Sequence, residues 1–305
     1  MRLSVIVCTY NPDPKTIGDC MASIRSALES VSDAEVIVVD NNSKVPAKET
    51  LTSQGIHFAD CRFVRELEQG LTPARIRGIR EAEGDLIVFV DDDNFVRADF
   101  FLNGMKLAEG HPFVGAFSGQ VELVFEKEPP EWSKPYHGLL VRRRFERDVW
   151  SNLPNLDETM PCGAGLFVRR RVAEHYVRLH EDGKRGIQLD RKGASLFSGG
   201  DNDLAACACD VGLGVGLFHE LMLDHYIPAS RLEKDYLLRL TRGIYTSSVV
   251  FKSMRGQKPE PYTFGRRILD GIRLMFMNPL KRSFYLAQLR GMADGRRMME
   301  HSRMG

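Results

Sequence analysis

Residues 3–8 are a short apolar run without polar alternation, the pattern of a strand buried on both faces. In 17–28, Ile17, Met21, Ile24 and Leu28 fall on one face of a helix. Residues 35–39 predict a second buried strand ending at Asp40, and 61–64 a third. Pro73 suits the first turn of a helix running to about Ala82. The apolar run 86–90 predicts a strand that passes directly into Asp91-Asp92-Asp93. This strand–helix rhythm predicts an α/β fold around a mostly parallel, doubly wound central sheet with flanking helices. Ligands of such sheets bind beyond the carboxyl ends of the strands, where Asp40 and the three aspartates stand.

The middle of the chain is less regular. Residues 113–125 predict one or two strands, 127–135 a proline-rich loop, and 163–168 a strand followed by a helix near 171–179. Residues 181–200 are rich in glycine and charge and predict a loop. A helix over 201–210 and a strand over 213–218 follow. From Arg231 the pattern is helical: 231–253, 262–276 and 280–300. The expected division is a body over 1–230, with a first half to about 95 and a second half over 96–230. A helical C-terminal extension covers 231–305.

Composition sharpens this division. Lys plus Arg number 42 against 41 for Asp plus Glu, so a wholesale nucleic-acid binder is not expected. The charge is uneven: residues 231–305 carry +10 and the remainder −9. The last two helical stretches mix this basic charge with Phe276, Met277, Phe284 and Tyr285. Their apolar residues could pack on the body, form a dimer contact, or dock on an anionic membrane surface. The six cysteines form no CxxC pair, no secretory signal precedes them, and reduced thiols are expected. The sequence holds no run of about 18 apolar residues, so no segment is expected to span a bilayer.

Asp91-Asp92-Asp93 is the strongest chemical signal. Adjacent carboxylates at a buried strand end repel one another, and a divalent cation is the simplest compensation. A solvated acidic turn, with Asn94 capping a following helix, is the plainer alternative. Asp201 and Asp203 follow Gly199-Gly200, which reads as an ordinary helix start or as a site of close backbone approach. His225 could be a structural residue or a metal ligand, and Arg231 a phosphate holder. Several classes are excluded. The first strand leads into Cys8-Thr9-Tyr10-Asn11-Pro12 rather than a dinucleotide glycine fingerprint, and no P-loop, serine elbow or zinc-protease motif is present.

Taken in order, Val5-Ile6-Val7-Cys8-Thr9-Tyr10-Asn11, Val36-Ile37-Val38-Val39-Asp40-Asn41-Asn42-Ser43, Gly70-Leu71-Thr72-Pro73-Ala74-Arg75-Ile76-Arg77-Gly78, the 86–93 segment, Gly200-Asp201-Asn202-Asp203-Leu204 and His225-Tyr226-Ile227-Pro228 resemble glycosyltransferase family 2. These are inverting sugar transferases of the GT-A fold. The resemblance covers roughly residues 1–250 and implies that 1–230 is a catalytic domain, with a nucleotide-binding half to about 95 and an acceptor-binding half over 96–230. It implies that Thr9, Tyr10 and Asn11 lie by a nucleotide base, that Asp40 accepts an imide N–H, and that Arg75 sits near the phosphates or base. It implies a D-x-D role for the aspartates, with Asp93 on Mn²⁺ or Mg²⁺ and Asp91 or Asp92 on ribose or metal-bound water. Asp201 aligns with the catalytic base, although Gly200 replaces the family's usual Glu. His225 would be a late metal ligand and Arg231 would meet the departing diphosphate. Trp132 and Asp203 are candidate sugar or acceptor contacts; Trp132 and Trp150 could equally be core residues.

The implied activity is inverting transfer from a nucleotide-sugar donor, UDP-sugar favoured, to a glycan or lipid-linked acceptor. Cell-surface polysaccharide or glycolipid synthesis is the implied setting, with the protein cytoplasmic or peripheral on the inner face of the cytoplasmic membrane. The 181–200 loop is a candidate lid. A nucleotidyltransferase of related fold and a non-catalytic nucleotide-sugar-binding protein are the alternatives.

Overall fold

The computed structural model describes residues 1–53, 55–56, 61–154, 156–185, 196–197, 199–258 and 261–301. The chain divides into two compact units, Met1–Gln188 with Gly200–Ala229, and Leu189–Gly199 with Ser230–Gly305.

The first unit is built on one mixed sheet. Strands β1 (Leu3–Thr9), β2 (Ala34–Asp40), β3 (Cys61–Arg65) and β4 (Leu86–Asp91) are mutually parallel in the order β3-β2-β1-β4. The uninterrupted Val and Ile of β1, β2 and β4 are buried because helices cover both faces. Those helices are α1 (Pro14–Leu28), α2 (Ala47–Ser53), α3 (Leu71–Glu81), α4 (Phe100–Gly110), α5 (Arg170–Glu181) and α6 (Gly200–Asp210). Asp13 caps α1 by accepting the Thr16 N–H at 2.9 Å, with Pro14 in the first turn.

The second half of the sheet adds β5 (Asn94–Val96), β6 (Val114–Phe125), β7 (Val149–Ser151), β8 (Leu166–Arg169) and β9 (Gly214–Ile227). Strand β8 pairs antiparallel with both β4 and β6. Strand β9 runs parallel to β6 and antiparallel to β5 and β7. Several expectations shift here. Residues 113–125 make one continuous strand. The strand expected over 213–218 continues to Ile227, because its second half alternates buried and half-buried residues beside β6. The strand expected from Gly163 begins at Leu166, since Gly163–Gly165 form a turn in which Gly165 takes φ +66°. Part of the expected 127–135 loop enters a 3-10 helix, Glu131–Leu140. No helix follows Asn94 directly; it opens β5 instead.

The second unit contains helices α7 (Lys234–Met254), α8 (Phe264–Phe276) and α9 (Pro279–His301). Helices α7 and α9 pack closely. A Cβ on Gly291 would lie 2.4 Å from the Arg242 carbonyl oxygen, and one on Gly295 would lie 2.7 Å from Val249 Cβ. Phe284 is buried and Tyr285 hydrogen-bonds Asp270 at 2.6 Å, so neither belongs to a free docking face. None of the six cysteines forms a disulfide. Among the described residues, no helix is long and apolar enough to cross a membrane.

Candidate active site

The sheet register aligns the strand ends. Thr9 pairs with Asp40 across β1 and β2, and Cys8 pairs with Asp91 across β1 and β4. The loops leaving these strands are tied together. The Thr9 hydroxyl donates to Asp92, the Asn11 N–H donates to Ser43 Oγ at 2.8 Å, and Asn11 Oδ1 accepts the Lys44 N–H at 2.8 Å. Asn11 and Asn42 hold positive φ, a conformation asparagine tolerates through local hydrogen bonding. Tyr10, between these anchored residues, is 52% exposed.

Asp40 has a structural task. It is buried, and its two oxygens accept the N–H groups of Ser43 at 2.8 Å and Ala47 at 2.9 Å. It fixes the turn into α2, so an imide N–H would have to share oxygens already bonded. Neighbouring Asn41 was not singled out from the sequence. Its side chain donates to the Glu68 carbonyl at 2.6 Å and accepts the Gly70 N–H at 2.8 Å, clamping β2 to the start of α3. Gly70 enters α3 at φ +141°, which disfavours any residue with a Cβ.

Arg75 on α3 is buried, with its guanidinium carbon 6.0 Å from the Phe89 ring centroid. It approaches Asp201 at Gly163. The Gly163 N–H donates to Asp201 Oδ2 at 2.6 Å. A Cβ on Gly163 would lie 2.9 Å from that oxygen and 3.1 Å from Arg75 Nη2. Only glycine leaves room for both side chains. The run Cys162-Gly163-Ala164-Gly165 was the available signal, although small residues alone do not say what approaches them.

Burial pushes the Asp91 carboxyl above its ordinary value, and Asp93 and Asp201 add to this; Arg75 and His225 pull it back down. Asp93, Asp201, Arg75 and His225 are thus all near enough to act on Asp91. His225 reaches it because β9 pairs with β5, setting His225 opposite Asn94. The Tyr226 N–H also donates to the Asp93 carbonyl at 2.8 Å. His225 Nδ1 lies 3.1 Å from the Leu140 carbonyl. A carbonyl only accepts, so Nδ1 carries the hydrogen and Nε2 faces Asp93 Oδ2 at 3.5 Å.

This donor pair suits a divalent cation. A carboxylate oxygen and an imidazole nitrogen oriented by a backbone carbonyl are both competent ligands. Among the described residues, no cluster of three or more such side chains is present. Two protein ligands still fit Mg²⁺ or Mn²⁺, which commonly complete their shell with water and phosphate oxygens.

Other expected residues stand differently. Asp203, two residues past Asp201 on α6, is buried and paired with Arg185 Nε at 2.8 Å, with side chains 4% and 11% exposed. Trp132 is half-buried in the 3-10 helix whose far end supplies Leu140. Trp150 packs on Phe113 with ring centroids 4.7 Å apart. Arg231 lies in a second 3-10 helix, Ala229–Leu232. Most of the expected 181–200 lid lies outside the described residues.

The Glycosyl transferase family 2 model matches residues 4–177, a span that carries β1, β2, β4, Arg75 and the three aspartates. The chain belongs to glycosyltransferase family 2. An N-acetylglucosaminyltransferase of Bradyrhizobium elkanii is 34% identical over 39% of this chain and 65% of its own length. Glycosyltransferase AglE of Haloferax volcanii is 29% identical over 73% and 66%, respectively. A dolichol-phosphate mannosyltransferase of Pyrococcus furiosus is 33% identical over 60% and 50%. The chain thus spans half to two thirds of the length of these relatives. The fold is that of two solved transferases. S. aureus TarS 1-349 in complex with UDP-GlcNAc superposes with TM-score 0.52 at 14% identity, over 100% of this chain and 92% of that one. The mannosyltransferase PcManGT of Pyrobaculum calidifontis, in complex with GDP-Man and Mn²⁺, gives 0.55 at 18%, over 100% and 75%.

Proposed function

We propose that this family member transfers a sugar from a nucleoside-diphosphate sugar to an acceptor hydroxyl with inversion, in the synthesis of a cell-surface polysaccharide or glycolipid. The observation that carries this reading is Asp201 and Arg75 meeting at Gly163 while His225 faces Asp93, with all four close enough to act on the Asp91 carboxyl. A UDP-sugar is the favoured donor, supported by the N-acetylglucosaminyltransferase relative and the UDP-GlcNAc complex of TarS. The GDP-Man complex of PcManGT makes GDP-mannose the competitor.

The exposed Tyr10 ring offers a stacking surface for the base, with Thr9 and Asn11 holding its backbone. Asp91 or Asp92 contacts the ribose. Asp93 and His225 would hold a divalent ion, which when bound supplies positive charge against the diphosphate. Arg75, buried beside the carboxylates, keeps a fixed positive charge in the same region. Asp201 is the general base. Its Oδ2 is held by the Gly163 N–H, so Oδ1 takes the proton from the acceptor hydroxyl. The hydroxyl oxygen forms the new bond to the anomeric carbon as the bond to the diphosphate breaks on the opposite face. The transition state has the oxocarbenium character of glycoside chemistry. Asp203, committed to Arg185, steadies α6.

Thermal unfolding in the presence of UDP, GDP, dTDP or CMP, each with and without Mn²⁺, tests the donor assignment. A ligand that binds only the native state raises the melting temperature by mass action. The expected result is a Mn²⁺-dependent rise with UDP. Failure of every nucleotide to shift the transition would refute the reading.

A further inference from the structure

Helix α8 is inverted relative to an ordinary surface helix. At about 100° per residue, Phe264, Ile268, Leu269, Ile272, Met275 and Phe276 occupy an arc of roughly 140°. This arc faces solvent: Phe264 is 77% exposed, Met275 74% and Phe276 84%. The residue turned inward is Asp270, at 1% exposure. It accepts hydrogen bonds from Tyr285 at 2.6 Å and Tyr262 at 3.0 Å. Arg266 and Arg273 stand 3.4 and 3.8 Å from the same carboxylate. The helix is therefore fastened by its acid, and its apolar face is left free.

The charge around that face decides what covers it. Arg273 borders the apolar arc on one side and Arg267 on the other. Exposed Lys281 and Arg282 follow at the start of α9. Between positions 261 and 293 the sequence holds six basic residues and one acid, the buried Asp270. A second copy packed face to face would set these arginines against their own equivalents. A lipid surface bearing anionic headgroups satisfies both the apolar stripe and its basic borders.

We propose that α8 is an interfacial helix that lies in the plane of an anionic lipid surface, with Phe264, Ile268, Ile272, Met275 and Phe276 buried among the acyl chains. This reading is independent of the sugar-transfer chemistry, because it uses no residue of the active site.

Flotation of the full chain with vesicles tests it. One set contains phosphatidylcholine alone and the other phosphatidylcholine with phosphatidylglycerol, each at low and high salt. The expected result is binding to the phosphatidylglycerol vesicles that weakens as salt rises. Binding by the Met275→Ser/Phe276→Ser double variant should be weaker by roughly a hundredfold or more, from the lost apolar burial. Its melting temperature should be unchanged, because both side chains are exposed. Absence of wild-type binding to phosphatidylglycerol vesicles would overturn the proposal, as would equal binding by the double variant. Self-association of the wild type that the double variant loses, without vesicle binding, would assign the face to a contact between copies and overturn it too.

Discussion

Replacing Asp201 and Asp203 one at a time separates a catalytic carboxylate from a structural one only two residues away. Asp201 Oδ2 accepts a single backbone N–H, from Gly163 at 2.6 Å. Asparagine there retains a carbonyl oxygen for that bond, so Asp201→Asn removes basicity and charge and little else. Loss of a general base lowers turnover by about 10²–10⁴. That corresponds to roughly 3–5 kcal/mol of transition-state stabilisation. The melting temperature of this variant should stay within about 2 °C of the parent. Asp203→Asn does the reverse. The Arg185–Asp203 pair is nearly dry, and removing one partner of such a pair costs about 3–5 kcal/mol. Asparagine still offers one acceptor, which puts the cost near the lower end, about 3 kcal/mol. At roughly 2–4 °C per kcal/mol for a unit of this size, the transition should fall by about 6–12 °C. Turnover per folded molecule should change by less than about tenfold. Thermal unfolding and single-turnover sugar transfer, run on both variants with the donor that binds, make the comparison. If Asp203→Asn loses turnover at an unchanged melting temperature while Asp201→Asn keeps it, the base is Asp203 and the assignment is wrong.

Three further outcomes follow from the geometry. Gly163→Ala forces a methyl group to 2.9 Å from Asp201 Oδ2 and 3.1 Å from Arg75 Nη2, so turnover should drop by about tenfold to a hundredfold through misplacement; steady-state kinetics would show it, and an unchanged kcat would mean the two side chains move aside freely. His225→Gln should weaken the Mn²⁺-dependent part of the nucleotide thermal shift by about tenfold or more in Mn²⁺ concentration; a titration identical to wild type would remove His225 from the metal site. Asp270 is held below the ordinary carboxylate value by the Tyr285 hydrogen bond first, then by Tyr262, Arg266 and Arg273, against burial. A depressed folded pKa gives stability that is present above the unfolded value near ~3.9 and lost as pH falls through the folded one. Asp270→Asn should therefore lower stability at neutral pH and flatten its acid-side decline, as read from melting temperature against pH.

The elements most legible in the sequence were those whose local pattern is also their tertiary role. The apolar runs of β1, β2 and β4 predict buried parallel strands because nothing but a two-sided core accommodates unbroken Val and Ile. The aspartates that end β2 and β4 were readable for the same reason. Where a residue's role depends on a distant partner, the pattern was silent. Arg75 reads as an arginine on a helix face, yet it is buried beside Gly163, 88 residues further along the chain. Asp203 and Asp201 look alike in sequence and differ because Arg185 reaches one and Gly163 the other. Phe284 and Phe276 both read as apolar residues on basic helices; one is buried and the other is exposed.

The sequence by itself determined the α/β alternation, the family and the order of the acidic and histidine segments, because strand burial, helix period and turn chemistry act over a few neighbouring residues. The tertiary structure alone decided that β9 lies against β5 and so carries His225 to Asp93. It also decided that Gly163 makes room for Asp201 beside Arg75, and that α8 turns Asp270 inward and its phenylalanines out. Such pairings join groups from about ten to more than a hundred residues apart, and no local preference specifies which surface a side chain will meet.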